Sequence, residues 1–429
     1  MARFIYTLVV LALLPWAVLH LLWRARRQPE YLRHWGERFG FFGSDAGARS
    51  SPPTIWLHAV SVGETRAAQP LVAALRERYP THRILFTHMT PTGRATSEAL
   101  FGDSVERIYL PYDTPWAMQR FLRHFRPEFG LVMETELWPN LIAACRRNGV
   151  PLRLVNARLS ERSARRYSKF PALTHEALRG LVASGAQSAA DAARLEALGA
   201  LGVAVTGNIK FDIEAPPEQL ELARLFRARY GSRPVWLAAS TREGEEALIL
   251  GAWQVARRSD DAQSSPLANA LLVLVPRHPQ RFDEVSRLAT ELGFAVQRRS
   301  GDLLVESSTE VLIGDSMGEM FAFYGSVDIA FIGGSLLDFG SQNLIEAAAC
   351  GTPILIGPST RNFADAAREA VTCNAALAIR DAADLVNQVN ALLGNAERRR
   401  LMGTAGSAFA ARHRGATART LELITAAGR

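Results

Sequence analysis

Glu64, Glu134, Glu136 and Lys210 have side chains suited to moving protons and steadying charge. Each lies in a polar loop that follows a short apolar run, the place where an open α/β sheet collects its ligands. Glu64 sits near the end of His58-Ala59-Val60-Ser61-Val62-Gly63-Glu64-Thr65, after the apolar Thr54-Ile55-Trp56-Leu57. A helical pattern follows, with Ala67, Leu71, Ala74 and Leu75 on one face. A carboxylate delivered into the first helical turn can take a proton from a hydroxyl. Ser61-x-x-Glu64 also matches a capping box, in which the Glu reaches back to the cap's N–H, and the motif alone leaves both readings open. Glu134 and Glu136 stand just before a helix, where carboxylates also favour the helix dipole. Lys210, in Gly207–Asp212, offers a cation to a departing anion or is a solvated loop lysine.

A second set of loops follows later strands: Pro276-Arg277-His278-Pro279, Gly314-Asp315-Ser316-Met317-Gly318-Glu319, Gly333-Gly334-Ser335 and Asn343 to Pro353. The last reads as a short helix opened by Asn343, closed by Gly351 and followed by a strand. A helix N-terminus can hold a phosphate, and Glu346 on that helix can accept both hydroxyls of a ribose. Plainer readings exist for the others: a rigid turn at Arg277-His278, tight packing at Gly333-Gly334 and a core Met317. No GxGxxG fingerprint or GxxxxGK[ST] loop occurs, which argues against the usual NAD and ATP sites. HExxH and Asp-x-Asp are also missing, and the basic residues are not interleaved with stacking aromatics, so no nucleic-acid partner is expected.

The elements that must position these loops alternate strand with helix, which implies βαβ units and a parallel sheet. Strands are expected at 54–57, 83–87, 107–110, 129–133, 152–155, 181–183 and 203–206, then at 235–239, 271–275, 294–297, 311–313, 328–332 and 353–356. Helices such as Trp116–Phe125 and Asp191–Leu198 fit between them. Ile213-Glu214-Ala215-Pro216-Pro217 breaks the pattern and suits a joint. The expected division is an N-terminal membrane anchor over 1–30, a Rossmann-like domain over 31–212, a linker over 213–232 and a second Rossmann-like domain over 233–429. The basic helical stretch from Ala396 is read as a helix closing that second domain. The Gly/Ser/Pro-rich Gly40–Pro53 reads as a linker. Polar loops at the same end of both sheets would face a common cleft.

The chain's 429 residues exceed one typical domain, and 48% apolar content is ample for large cores. A formal charge of +7 favours an anionic partner without choosing which. Three cysteines, Cys145, Cys350 and Cys373, form no CxxC and suit a reducing compartment. Phe4–Trp23 is apolar apart from Thr7, Pro15 and His20, near the ~20 residues that span a bilayer as a helix. Arg24, Arg26, Arg27 and Arg33 follow it, which places the body of the protein in the cytoplasm. No small-x-small cleavage site follows, so an uncleaved anchor is read rather than a signal peptide. Pro15 leaves a bent, monotopic insertion open beside a full span.

The Glu346-Ala-x-Ala-x-Gly351-x-Pro353 arrangement in the second α/β half resembles glycosyltransferases of the GT-B fold: two Rossmann-like domains facing a central cleft, here with an N-terminal membrane-anchor helix. Taken in order, His58–Glu64, Glu134–Asn140, Asn156–Ser160, Gly207–Asp212, Pro276–Pro279, Gly314–Glu319 and Asn343–Glu346 resemble the 3-deoxy-D-manno-octulosonic acid (Kdo) transferase family of lipid A biosynthesis. Leu344 departs from the Pro that many members carry there, where Pro would only preset the first helical turn. The resemblance implies inverting transfer of Kdo from CMP-Kdo to lipid IVA without a metal cofactor, at the cytoplasmic face of the inner membrane. It implies that Glu64 is the general base, and that Glu134 or Glu136, with Lys210, steadies the transition state. It also implies CMP binding by Pro276, Arg277, Met317, Gly318, Glu319, Asn343, Leu344, Ile345 and Glu346. An inverting displacement needs one carboxylate on the acceptor's side, and a departing phosphate needs cations, for which Lys210 and Arg277 are at hand. Arg158, Arg162, Arg165, Arg166 and Lys169 are candidates for the acceptor's phosphates or a solvated basic face. A UDP-sugar transferase or a sugar-nucleotide epimerase on the same fold is the alternative, and a catalytically dead nucleotide-sensing membrane scaffold is a more distant one.

Overall fold

A computed structural model describes residues 1–43, 52–258, 265–302 and 304–426. Residues 44–51, which hold most of the expected Gly40–Pro53 linker, lie outside the described residues. The chain forms two compact units, Met1–Asp212 with Arg414–Arg429, and Ile213–His413.

The first unit is built on a seven-stranded parallel sheet of order β3-β2-β1-β4-β5-β6-β7. Its strands are β1 (Thr54–His58), β2 (Arg83–His88), β3 (Glu106–Tyr109), β4 (Pro127–Met133), β5 (Leu152–Ala157), β6 (Ala183–Ala186) and β7 (Val203–Val205). β1 and β5 are buried at every position, and β4 at all but Glu128. A parallel sheet covered by helices on both faces demands such runs. Trp56 of β1 belongs to one core cluster, with Phe121 and Leu154, while Ile55 and Leu57 point into another, with Leu71 and Ile84. The order reverses between β1 and β4, so the loops after those two strands flank the switch point. Those loops carry Glu64 and Glu134.

The second unit repeats the plan with order β10-β11-β9-β8-β12-β13-β14. Its strands are β8 (Val235–Thr241), β9 (Leu271–Pro276), β10 (Val296–Arg298), β11 (Val311–Ile313), β12 (Ile329–Ile332), β13 (Ile354–Ile356) and β14 (Ala376–Ala378). The switch point falls between β8 and β12. The expected strands are all present within a few residues, the largest shift being 181–183, which moves to Ala183–Ala186. β14 was not expected, because Ala-Leu-Ala carries no β-branched residue and is partly exposed.

Two boundaries differ from the sequence-based expectation. Pro217 opens a regular helix, Pro217–Tyr230, at a position where its missing N–H costs nothing, so most of 213–232 is helix within the second unit. The stretch from Ala396 is two helices. Ala396–His413 stays with the second unit, but Ala416–Ala426 belongs to the first. Ala416 and Ile424 are buried there with Ile55, Leu71 and Ile209.

Ala2–Ala25 is a single helix of 24 residues with mean hydropathy 2.2 over its most apolar window, long and apolar enough to cross a membrane. Pro15 lies inside it without ending it. Phe4, Leu8, Leu13, Trp16, Leu19 and Trp23 are exposed. Near its start the Tyr6 hydroxyl donates to Asp113 Oδ2 at 2.9 Å, and Thr7 Oγ1 donates to Asn140 Oδ1 at 3.0 Å. Asp113 also accepts from the backbone N–H groups of Asn140 and Leu141 at 3.0 and 2.8 Å, which caps the helix Pro139–Arg147.

Candidate active site

In the first unit, β1 ends at His58, a fully buried side chain whose Nδ1 lies 2.8 Å from Thr87 Oγ1 on the neighbouring strand. The chain then turns into the short helix Val62–Ala67, capped by Ser61, whose Oγ accepts from Glu64 N at 3.3 Å. The Glu64 carboxylate returns the interaction: Val60 N donates to Oε2 and Ser61 Oγ to Oε1, both at 2.8 Å. The expected capping box is thus formed in a shifted version: Glu64 takes the N–H of Val60, one residue before the cap, and the cap's hydroxyl in place of the cap's own N–H. Glu64 is only 8% exposed. Burial raises its pKa to about 7; the Val60 and Ser61 hydrogen bonds oppose that rise, and the negative charges of Glu134 and Glu136 add to it. A cap that titrates near neutrality beside other carboxylates has the acidity a general base needs.

Glu134, at the end of β4, has φ +56°, a left-handed backbone uncommon for a non-glycine residue. Its N–H is held by Val155 O at 3.0 Å. Its Oε1 accepts from Lys210 Nζ at 2.8 Å. Glu136 is engaged differently: Trp138 Nε1 donates to its Oε2 at 3.0 Å, and burial raises its pKa. The structure thus separates two carboxylates that the sequence left equivalent. One is paired with a cation, the other with an indole.

Lys210 rides on a single turn, Ile209–Phe211, clasped from two sides. Asn156, itself at φ +54° at the end of β5, accepts from Ile209 N through Oδ1 at 3.0 Å. Asp212 accepts from Gly415 N at 2.8 Å and Thr417 N at 2.7 Å, at the start of the last helix. Arg419 Nε from that helix donates to Thr206 O at 2.9 Å. This clasp was missed in the sequence, since about two hundred residues separate Asp212 from its partners; the one local signal was an aspartate closing the Lys210 loop. Arg158, Arg162, Arg165, Arg166 and Lys169 are exposed along and beside the helix Glu161–Tyr167.

In the second unit, Arg277 follows β9 and donates through Nε to Gln342 Oε1 at 3.3 Å. Burial raises the pKa of Glu346, with the Asn343 hydrogen bond and the Arg277 charge acting against it. Asn343 Nδ2 donates to Glu346 Oε1 at 3.1 Å, and Asn343 Oδ1 accepts from Ile345 N at 3.0 Å. Arg277, Gln342, Asn343 and Glu346 are thus brought together. Leu344 and Ile345 are fully buried and Pro276 is buried, so these positions have only backbone to offer a ligand. Met317 is 61% exposed rather than core, Gly318 has φ +82°, and Glu319 pairs with Arg299 at 3.0 Å and with Ser316.

One missed residue organises this half. Glu245, fully buried, accepts from Arg242 N at 2.8 Å and Gly334 N at 2.6 Å on one oxygen, and from Leu336 N at 2.9 Å on the other. It staples the loop after β8 to the loop after β12. Its signal was slight, a carboxylate just after Gly244 in the polar stretch Ser240–Glu246.

Comparison with known proteins agrees with this layout. Residues 33–213 match the family model described as 3-Deoxy-D-manno-octulosonic-acid transferase (kdotransferase). A 3-deoxy-D-manno-octulosonic acid transferase of Bordetella pertussis is 44% identical over 431 residues, covering 99% of each chain. One from Haemophilus influenzae is 39% identical over 429 residues, covering 99% of this chain and 98% of its own. Among solved structures, UDP-GlcNAc 2-epimerase from Neisseria meningitidis bound to UDP-GlcNAc aligns with TM-score 0.57 over 87% of this chain and 99% of its own. At 15% identity that likeness concerns the fold alone, which is GT-B.

Proposed function

Because the chain belongs to the Kdo transferase family and is a glycosyltransferase, we propose that it moves Kdo from CMP-Kdo to lipid IVA with inversion, Glu64 acting as general base. The observation that carries this reading is Glu64 itself, a buried carboxylate at the β1 switch point with a pKa near 7. In the proposed reaction an acceptor hydroxyl oxygen attacks the anomeric carbon of Kdo. The bond from that carbon to the phosphate oxygen breaks, CMP departs with the electron pair, and the hydroxyl proton passes to Glu64. To reach the hydroxyl, Glu64 gives up the Ser61 or Val60 hydrogen bond, so the cap and the base are one side chain in two states.

Positive charge builds on the anomeric carbon as the phosphate leaves. Glu134 is assigned to face that charge, with Lys210 fixing its position; Glu136, engaged by Trp138, is not. Arg277 and Lys210 are assigned to the departing phosphate, Asn343 and Glu346 to the nucleoside, and the loop Met317–Glu319 to the same ligand. A metal is not required in this scheme, and activity is expected to be unchanged by a chelator. The apolar helix Ala2–Ala25 holds the enzyme at the cytoplasmic face of the inner membrane. The basic side chains Arg162, Arg165, Arg166 and Lys169 meet the phosphates of lipid IVA.

Mass analysis of the product formed from CMP-Kdo and lipid IVA tests the reading and counts the Kdo units added. Glu64→Ala is expected to lower transfer by about 10²- to 10⁴-fold while CMP still binds. Retention of more than about a tenth of the wild-type rate, well outside that range, removes the base role. Transfer from a UDP-sugar but not from CMP-Kdo overturns the donor.

A further inference from the structure

Arg242 stands at the carboxyl end of β8, where its backbone N–H is fixed by Glu245. Its guanidinium lies 4.7 Å from the centroid of the Phe339 ring. Stacking on an aromatic face leaves the edge of the guanidinium fork open for a planar anion. Among the described residues no carboxylate forms an ion pair with it. Arg277 is close by. Its N–H donates at 3.0 Å to the carbonyl of Thr241, the residue before Arg242.

Gly334, at φ +70°, lies beside Arg242 and beside Gln342. A Cβ there would come 3.5 Å from Arg242 Cγ on one side and 3.1 Å from Gln342 Nε2 on the other. Gln342 in turn holds Arg277. A third arginine nearby, Arg281, is committed to Glu246 at 2.7 Å and Glu284 at 3.2 Å. Burial and then the charges of Arg242, Arg277 and Arg281 lower the pKa of His278, which lies among these cations.

A nucleotide of an aldose offers this corner one anionic group at the anomeric carbon, the phosphate. A nucleotide of an ulosonic acid offers two on that same carbon, phosphate and carboxylate. Two arginines near one glycine suit a ligand with two anionic groups; in a CMP-ulosonic acid, which has a single phosphate, the second of these is the sugar carboxylate. We infer that Arg242 binds the carboxylate of the donor's sugar while Arg277 binds its phosphate, so that Arg242 selects ulosonic acid donors. This rests on the CMP-Kdo reading above. The pairing is bidentate, because a planar fork meets a planar carboxylate.

The test uses the full chain in detergent, measuring KM for CMP-Kdo and the inhibition constant of free CMP. CMP has the phosphate but no sugar carboxylate, and its binding also reports that the second unit is folded. Arg242→Ala and Arg242→Gln are each expected to raise the donor KM by about tenfold or more and to leave CMP inhibition within about twofold of wild type. Arg242→Lys, which keeps the charge but not the fork, is expected to recover part of the loss. Equal shifts for CMP and CMP-Kdo in both variants overturn the inference, as does no shift in either. Wild-type enzyme that transfers nothing from CMP-Kdo overturns the donor reading, and this inference with it.

Discussion

Lys210 Nζ lies 2.8 Å from Glu134 Oε1, although 76 residues separate them in the chain. Glu134 holds a left-handed backbone at the end of β4 to reach this position, and Lys210 is carried there on a turn fastened at both sides. The lysine side chain is 35% exposed and that of the glutamate 27%, so the pair is open to solvent and adds little to stability. Its placement beside Glu64 is what gives it consequence.

If the pair acts as a unit on the transition state, its members are not additive. Lys210→Ala is expected to lower kcat on the order of 10²-fold with a smaller change in KM, because the charge it meets grows as the bond breaks. Glu134→Gln is expected to do the same. The double variant is expected to lose little more than either single one. A change confined to KM, or a full product of the two losses, counts against the assignment. Glu136→Gln, in comparison, is expected to retain most activity.

The clasp at Asp212 makes a second prediction about the same lysine. Asp212→Ala frees two backbone N–H groups of the last helix and loosens the turn that carries Lys210. A displacement on the scale of an ångström costs catalysis heavily, so kcat is expected to fall roughly tenfold. In a Lys210→Ala background the same substitution is expected to cost less than about twofold. A merely structural role for Asp212 would lower the rate equally in both backgrounds, and thermal unfolding of the four proteins separates stability from rate.

The pH dependence follows from Glu64. A base must be ionised, and this carboxyl has a pKa of about 7. Below that pH kcat/KM is expected to fall by about tenfold per pH unit, and above it to level off. The Ser61 hydrogen bond favours the ionised form. Ser61→Ala removes it, so the pKa rises further and the limb moves to higher pH. A limb that stays in place, or moves to lower pH, shows that another group titrates.

Much of this architecture was legible as apolar runs, because a strand buried on both faces has little choice of residue. β1, β4 and β9 announced themselves in that way. β14 did not, since Ala376-Leu377-Ala378 has neither β-branching nor full burial. The helix Ala416–Ala426 was recognisable as a helix, but an apolar face does not name the sheet it will cover, and it returned to the first unit. The site was legible loop by loop and not pair by pair. Glu134 and Glu136 looked alike in the sequence, and the structure gives them different partners, Lys210 and Trp138. Glu245 was passed over because a glutamate in a polar run reads as solvated, while here Glu245 and its neighbours Thr241 and Glu246 are all buried.

The N-terminal helix provides the last prediction. At 24 residues it is about 36 Å long, enough for the ~30 Å hydrocarbon core of a bilayer. Its polar ties to the folded body lie near its start: Tyr6 to Asp113, Thr7 to Asn140 and an ion pair of Arg3 with Glu176 at 3.5 Å. Removing Met1–Trp23 takes away both hydrogen bonds and the partly exposed ion pair, which contributes little, but leaves Asp113 its backbone partners, Asn140 N and Leu141 N. The cap on the helix Pro139–Arg147 therefore survives, and the loss is about 1 kcal/mol for each such hydrogen bond. The truncated protein is expected to unfold cooperatively at a slightly lower temperature, to remain in the supernatant after centrifugation with vesicles, and to transfer Kdo to detergent-dispersed lipid IVA. Full sedimentation with anionic vesicles, abolished by Arg162→Ala with Arg165→Ala and Arg166→Ala, would instead move membrane attachment to the exposed basic face of Glu161–Tyr167.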